Sequence, residues 1–218
     1  MSSDNPWLSW DYVQQHWPEL LAAGQEHLGI TVAAIALACA LAVPLALLAR
    51  RIPRMSGPIV ATSGVLYTIP SLALISALWP VFGLSPLTVV IALAIYALLV
   101  MVRAILVGLA GVPAESVDAA VGMGLSDQQL LWRVQAPLAL PSVLAGLRIA
   151  TVSTVGMVTV GALVGYGGYG TMILAGLNEN FYHAKIATAT ICAVALAIAL
   201  DGLLLLVERR ATPWARGH

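Results

Sequence analysis

The 218-residue chain is 60% hydrophobic and 9% charged, with mean hydropathy +0.93 and ten Lys and Arg balancing ten Asp and Glu. Soluble domains average about half apolar and about one quarter charged, so this much apolar surface belongs in a bilayer rather than in an aqueous core. No basic stripe is present to hold nucleic acid. Cys39 and Cys192 sit in apolar runs, with spacing that fits neither a disulfide framework nor a metal site.

The first 26 residues carry no Lys or Arg, so they lack the basic start of a secretory signal. Residues 1–27 read as an interfacial segment. Trp10, Val13, Trp17, Leu20 and Leu21 recur at helical spacing with polar residues between them, which predicts a short amphipathic helix anchored by tryptophans. A frayed tail is the alternative.

A spanning helix needs about 20 apolar residues. Five runs qualify, at about 28–49, 57–79, 84–102, 142–164 and 186–207, with Pro44 and Pro70 expected to kink the first two. The expected fold is a single all-α polytopic domain over 28–208, followed by a tail at 209–218. Arg50, Arg51 and Arg54 follow the first run, Arg103 and Arg133 lie between the third and fourth, and Arg209, Arg210 and Arg216 follow the fifth. Arg148 lies in the first turns of the fourth run, and only Lys185 falls on the opposite side. The positive-inside rule then places the N-terminus outside and the C-terminus in the cytoplasm.

The stretch ESVDAAVGMGLSDQQLLWRVQAPLALP at 115–141 is polar within an otherwise apolar chain, and this topology puts it in the cytoplasm. Pro113 suits a first helical turn, where a missing N–H costs nothing, and Glu115 and Asp118 suit the N-terminal dipole. Gly122 and Gly124 offer a left-handed turn, and Ser126 with Gln129 has capping-box spacing. The segment 113–141 is therefore expected to form two short helices around a sharp turn, the second ending near Pro137 and Pro141. Such a knob is shaped for a partner's cleft.

Asp118-Ala119-Ala120, three residues, Gly124, nine residues and Val134-Gln135-Ala136-Pro137 resembles the EAA signature of ABC-importer permeases. Asp replaces the family's Glu, Val its Ile and Ala its Leu. The resemblance implies a coupling helix that fits a cytoplasmic ATPase subunit, with Glu115, Asp118, Ala119, Ala120, Gly124, Val134 and Pro137 in that role. YTIPSLALISALWPVFGLSP at 67–86 and the stretch at 145–177 resemble the osmoprotectant permeases, membrane subunits that import glycine betaine, choline, carnitine and proline betaine. Methionine-type permeases share the five-span plan and are the alternative within the family. The resemblance implies a type I importer fold in a bacterial cell membrane. It also implies a second permease subunit, identical or not, two ATPases and an extracytoplasmic substrate-binding protein.

Other readings fit less well. Gly165-Tyr-Gly167-Gly-Tyr-Gly170 matches a dinucleotide fingerprint, but it lies between membrane spans rather than between strand and helix. Val164-Gly165-Tyr166-Gly167 echoes a potassium filter without its threonine or its separate pore helix. No phosphate-binding loop is present, so any ATP is expected on another subunit, and no cofactor, metal or enzymatic centre is expected here. Arg148 and Asp201 are the charges well inside spans, free to snorkel or to pair. A secondary transporter would need internal repeats as well, and none is evident. Tyr67, Thr68, Pro70 and Ser71 on the second span, and Thr154 and Met157 on the fourth, are the candidate lining of a translocation path. Packing between helices is the competing role for such hydroxyl groups. The few aromatics do not assemble a cage for a quaternary ammonium, so substrate choice is expected on the external binding protein.

Overall fold

The computed structural model describes residues 5–216; the remaining residues of the expected N-terminal segment and tail lie outside the described residues. All regular structure among the described residues is helical. Ser9 caps α1 (Trp10–Gln15), its hydroxyl accepting from the Tyr12 N–H at 3.2 Å. After a break at His16, α2 runs from Trp17 to Arg51 with Pro18 in its first turn. The expected amphipathic helix is thus split. Its first half is α1, while Trp17, Leu20 and Leu21 begin the first long apolar helix, well before residue 28. Pro44 lies inside α2 and does not interrupt it.

α3 (Ser56–Thr68) and α4 (Ser71–Phe82) follow. The second expected span is not one straight helix, because α3 and α4 are bent by 96° at the break before Pro70. Proline disfavours helical backbone at the residue before it, and Ile69 is indeed extended with ψ 128°. The break is supported from a neighbouring helix. The Tyr96 hydroxyl, on α5 (Pro86–Ala110), donates to the freed Ile69 carbonyl.

α6 (Ala114–Gly122) and α7 (Asp127–Leu130) form the polar segment, and a π-helical turn at Leu131–Gln135 leads directly into α8 (Ala136–Val158). Pro113 precedes α6 rather than opening it. The second short helix does not end at Pro137 and Pro141, as the sequence predicted. Proline's ring collides with the carbonyl four residues back and leaves it without a donor. The π turn closes with the Ala136 N–H on the Leu131 carbonyl and widens the helix where the Pro137 ring must fit. The helix then continues into α8 without a break. A 3-10 turn (Thr159–Val164), α9 (Tyr169–Asn178) and α10 (His183–Ala211) complete the fold.

α2, α5, the α7–α8 rod and α10 are each long and apolar enough to cross a membrane, and α3 with α4 pass the same test as a broken pair. α5 is the central helix, packed between α2 and α8. Lipid offers helices no hydrophobic drive to associate, so close packing through small residues takes its place. Ala34, Ala38, Ala42 and Ala46 recur every fourth residue of α2, and all are fully buried. On α8, Gly146 lies so close to α5 that a Cβ there would stand 2.1 Å from the Ala104 Cβ.

Candidate functional site

The knob between α5 and α8 is built by two local motifs. α6 ends in a Schellman turn: the Leu125 N–H reaches the Ala120 carbonyl at 3.2 Å and the Gly124 N–H reaches the Val121 carbonyl at 2.9 Å. Gly124 occupies the left-handed region at φ 80°, with open space where a Cβ would stand. Two residues later the capping box forms. Ser126 Oγ accepts from the Gln129 N–H at 3.3 Å, and Gln129 Oε1 accepts from the Ser126 N–H at 2.9 Å. The turn geometry is therefore set by neighbours in sequence.

Glu115, Asp118, Ala119 and Gly124 are exposed, while Val134 and Pro137 are half-buried at the root of the rod. Ala120 is buried at 1% exposure, so its small side chain serves packing within the knob rather than approach by another chain. The exposed tip also carries Val121 at 56% and Met123 at 73% exposure. Sequence reasoning passed over these two, although apolar residues flanking the turn glycine were the available signal. An apolar tip ringed by carboxylates is a surface suited to protein contact. Asp127, at the start of α7, is gripped by two nitrogens of Arg50 at 2.7 and 3.0 Å. That charged partner holds the Asp127 carboxyl below its ordinary pKa.

The candidate path residues fall in two places. Tyr67, Thr68, Pro70 and Ser71 gather at the α3–α4 break, where Tyr67 is 47% exposed and meets Tyr96 edge-on at 5.9 Å. Met157 on α8 packs against Leu74, Ile75 and Tyr96, which brings the fourth expected span to the broken one. Thr154 is buried on α8. Tyr96 was missed because it sits in a uniformly apolar run of α5, with only the phenol to distinguish it.

Residues 38–213 match the family described as the binding-protein-dependent transport system inner membrane component. The chain belongs to this family. The permease is 33% identical over 204 residues to the carnitine transport permease protein OpuCB of Listeria monocytogenes, covering 94% of this chain and 93% of the relative. It is 31% identical to the choline transport system permease protein OpuBB of Bacillus subtilis, covering 93% of each. It is 34% identical to the osmoprotectant import permease protein OsmW of Salmonella typhimurium, covering 86% of this chain and 89% of the relative. A solved chain of the MetNI methionine ABC transporter superimposes with TM-score 0.82 at 20% identity, over 91% of this chain and 98% of that one. A chain of an amino acid ABC transporter crystallised with histidines gives TM-score 0.78 at 18% identity, over 96% and 100%. The fold is that of type I importer permeases, and the permease is a multi-pass membrane protein.

In this permease the intramembrane charges pair with one another. Arg148 donates to both carboxylate oxygens of Asp201, at 2.9 and 3.0 Å, and to Glu208 at 3.1 Å. Asp201 and Glu208 lie on one face of α10, two helical turns apart. The cluster thereby ties α8 to α10 and spares each charge an unpaired position in lipid. The glycine stretch at 165–170 links the 3-10 turn to α9 in a fold whose described residues form no strand, so the dinucleotide reading has no βαβ unit to rest on.

Proposed function

We propose that this permease carries an osmoprotectant of the betaine, choline and carnitine class into the cytoplasm, driven by ATP bound to partner subunits. The observation that carries the reading is the sequence likeness to relatives named for these compounds, at 31–34% identity over most of the chain. The methionine reading draws on solved neighbours at about 20% identity, which speak to fold alone. The knob at residues 113–137 is the docking element for an ATPase subunit, with Glu115, Asp118, Ala119, Gly124, Val121 and Met123 at or near the contact. Ala120, Val134 and Pro137 give the knob its shape. The broken second span, with Tyr67, Thr68, Pro70 and Ser71, borders the translocation path, while Met157 packs behind it and the buried Thr154 serves helix packing. A second permease subunit completes that path, and an extracytoplasmic binding protein delivers substrate. Arg50 and Arg103 border one cleft beside the knob's root, in keeping with a cytoplasmic knob and an external N-terminus in a bacterial cell membrane.

Uptake of labelled glycine betaine, choline, carnitine and methionine in cells with and without the gene tests the substrate class. Loss of one or more of the three quaternary amines, with methionine uptake intact, is the expected result. Loss of methionine uptake alone would overturn the assignment.

A further inference from the structure

The knob is joined covalently to only part of the bundle. α6 connects to α5 through Gly111, Val112 and Pro113, and α7 continues through the π turn into α8. α2 has no such connection. Its side-chain hydrogen bonds to the knob's second half come from Arg50 in its last turn. Besides the two bonds to Asp127, the Arg50 Nε donates to Gln135 Oε1 at 2.8 Å. Asp127 opens α7 and Gln135 closes the π turn, so one planar guanidinium holds both ends of this segment. Clefts flank Arg50 on both sides, one bordered by Leu48 and Trp132 and the other by Val60 and Leu106. Leu130 and Leu131 are buried in the same layer, so apolar packing seats the segment, while among the described residues the hydrogen bonds of Arg50 fix its direction relative to α2.

We propose that Arg50 is a positioning residue that carries movement of the docking segment into the first membrane helix. The inference rests on the reading of residues 113–137 as the ATPase-docking element. An arginine fork suits the task because it fixes direction as well as distance, which a lysine's single ammonium does not. The magnitude also points away from a stabilising role. The Arg50 side chain is 15% exposed but Asp127 is 69% exposed, and solvent around the carboxylate screens the pair, so it adds little to stability. Removing Arg50 should leave the fold intact and change what the fold transmits.

The test uses the complete complex with its ATPase and binding protein in liposomes, and reads substrate imported per ATP hydrolysed. Arg50→Gln should lower that ratio about tenfold, with the ATPase still bound and still hydrolysing ATP. Arg50→Lys should fall between Arg50→Gln and the parent. Asp127→Asn should lower the ratio too, and the double variant should be no worse than Arg50→Gln alone, as expected of two groups acting through one contact. Additive losses in the double variant, or loss of the ATPase from the Arg50→Gln complex, would overturn the proposal. A parental ratio in Arg50→Gln alongside uncoupling by Gly124→Val would overturn it while leaving the docking reading in place. Parental ratios in both would remove the docking reading as well.

Discussion

At Gly124 the backbone alone opposes a side chain, since φ is 80° and nothing stands within 4 Å of the site of a Cβ. Left-handed backbone costs an L-residue about 1–2 kcal/mol, a small part of a typical domain stability of about 5–15 kcal/mol. Gly124→Val should therefore leave the permease in the membrane at near-parental abundance while import falls sharply, as read by immunoblot beside substrate uptake. Unchanged import would show that the turn is dispensable. Asp127 supplies a second expectation. Its folded-state pKa is depressed by Arg50, so its contribution is present above the unfolded pKa and is lost as pH falls through the lower, folded value. The difference in melting temperature between the parent and Asp127→Asn should be small, flat across neutral pH, and lost only in strong acid. A difference that disappears near neutrality would contradict the pairing. The roles of Gly124 and Ser126 were legible in sequence because both motifs close within a few residues. The Arg50 contact was not, because its partner lies 77 residues away and no local pattern announces it.

Among the elements, α2 shows how packing is written in residue size. Ala34, Ala38, Ala42 and Ala46 form a stripe fully covered by neighbouring helices, and the cluster around Ala42 includes Ala94, Ala97 and Met101 of α5. Ala42→Leu would force extra volume into that seam at a cost of about 1–3 kcal/mol. Thermal unfolding in detergent should drop measurably, whereas Leu41→Ala on the exposed face should change it far less. Equal effects would mean that the stripe does not set the α2–α5 contact. Helix existence was legible from apolar runs, and bends were less so. Pro70 announced a kink, but the 96° turn is also supported by the Tyr96 hydroxyl, which donates to the freed Ile69 carbonyl. Pro137 and Pro141 announced a stop that the π turn avoids. Those outcomes rest on partners and turn widths that a one-dimensional pattern does not encode.

For the whole molecule, the arginine asymmetry predicts an orientation that can be tested: a reporter active only in the cytoplasm should work when fused to the C-terminus and fail at the N-terminus. The reverse pattern would place the knob outside, where no ATPase could reach it. The central claim joins this topology to ATP-driven import through an apolar-tipped knob. It is tested most directly by counterflow-free accumulation of labelled glycine betaine, choline or carnitine in liposomes holding the purified complex. Accumulation of at least one of these compounds should require ATP on the knob side and the binding protein on the other, and should be lost in Gly124→Val. Accumulation without ATP, or accumulation unchanged by Gly124→Val, would contradict it.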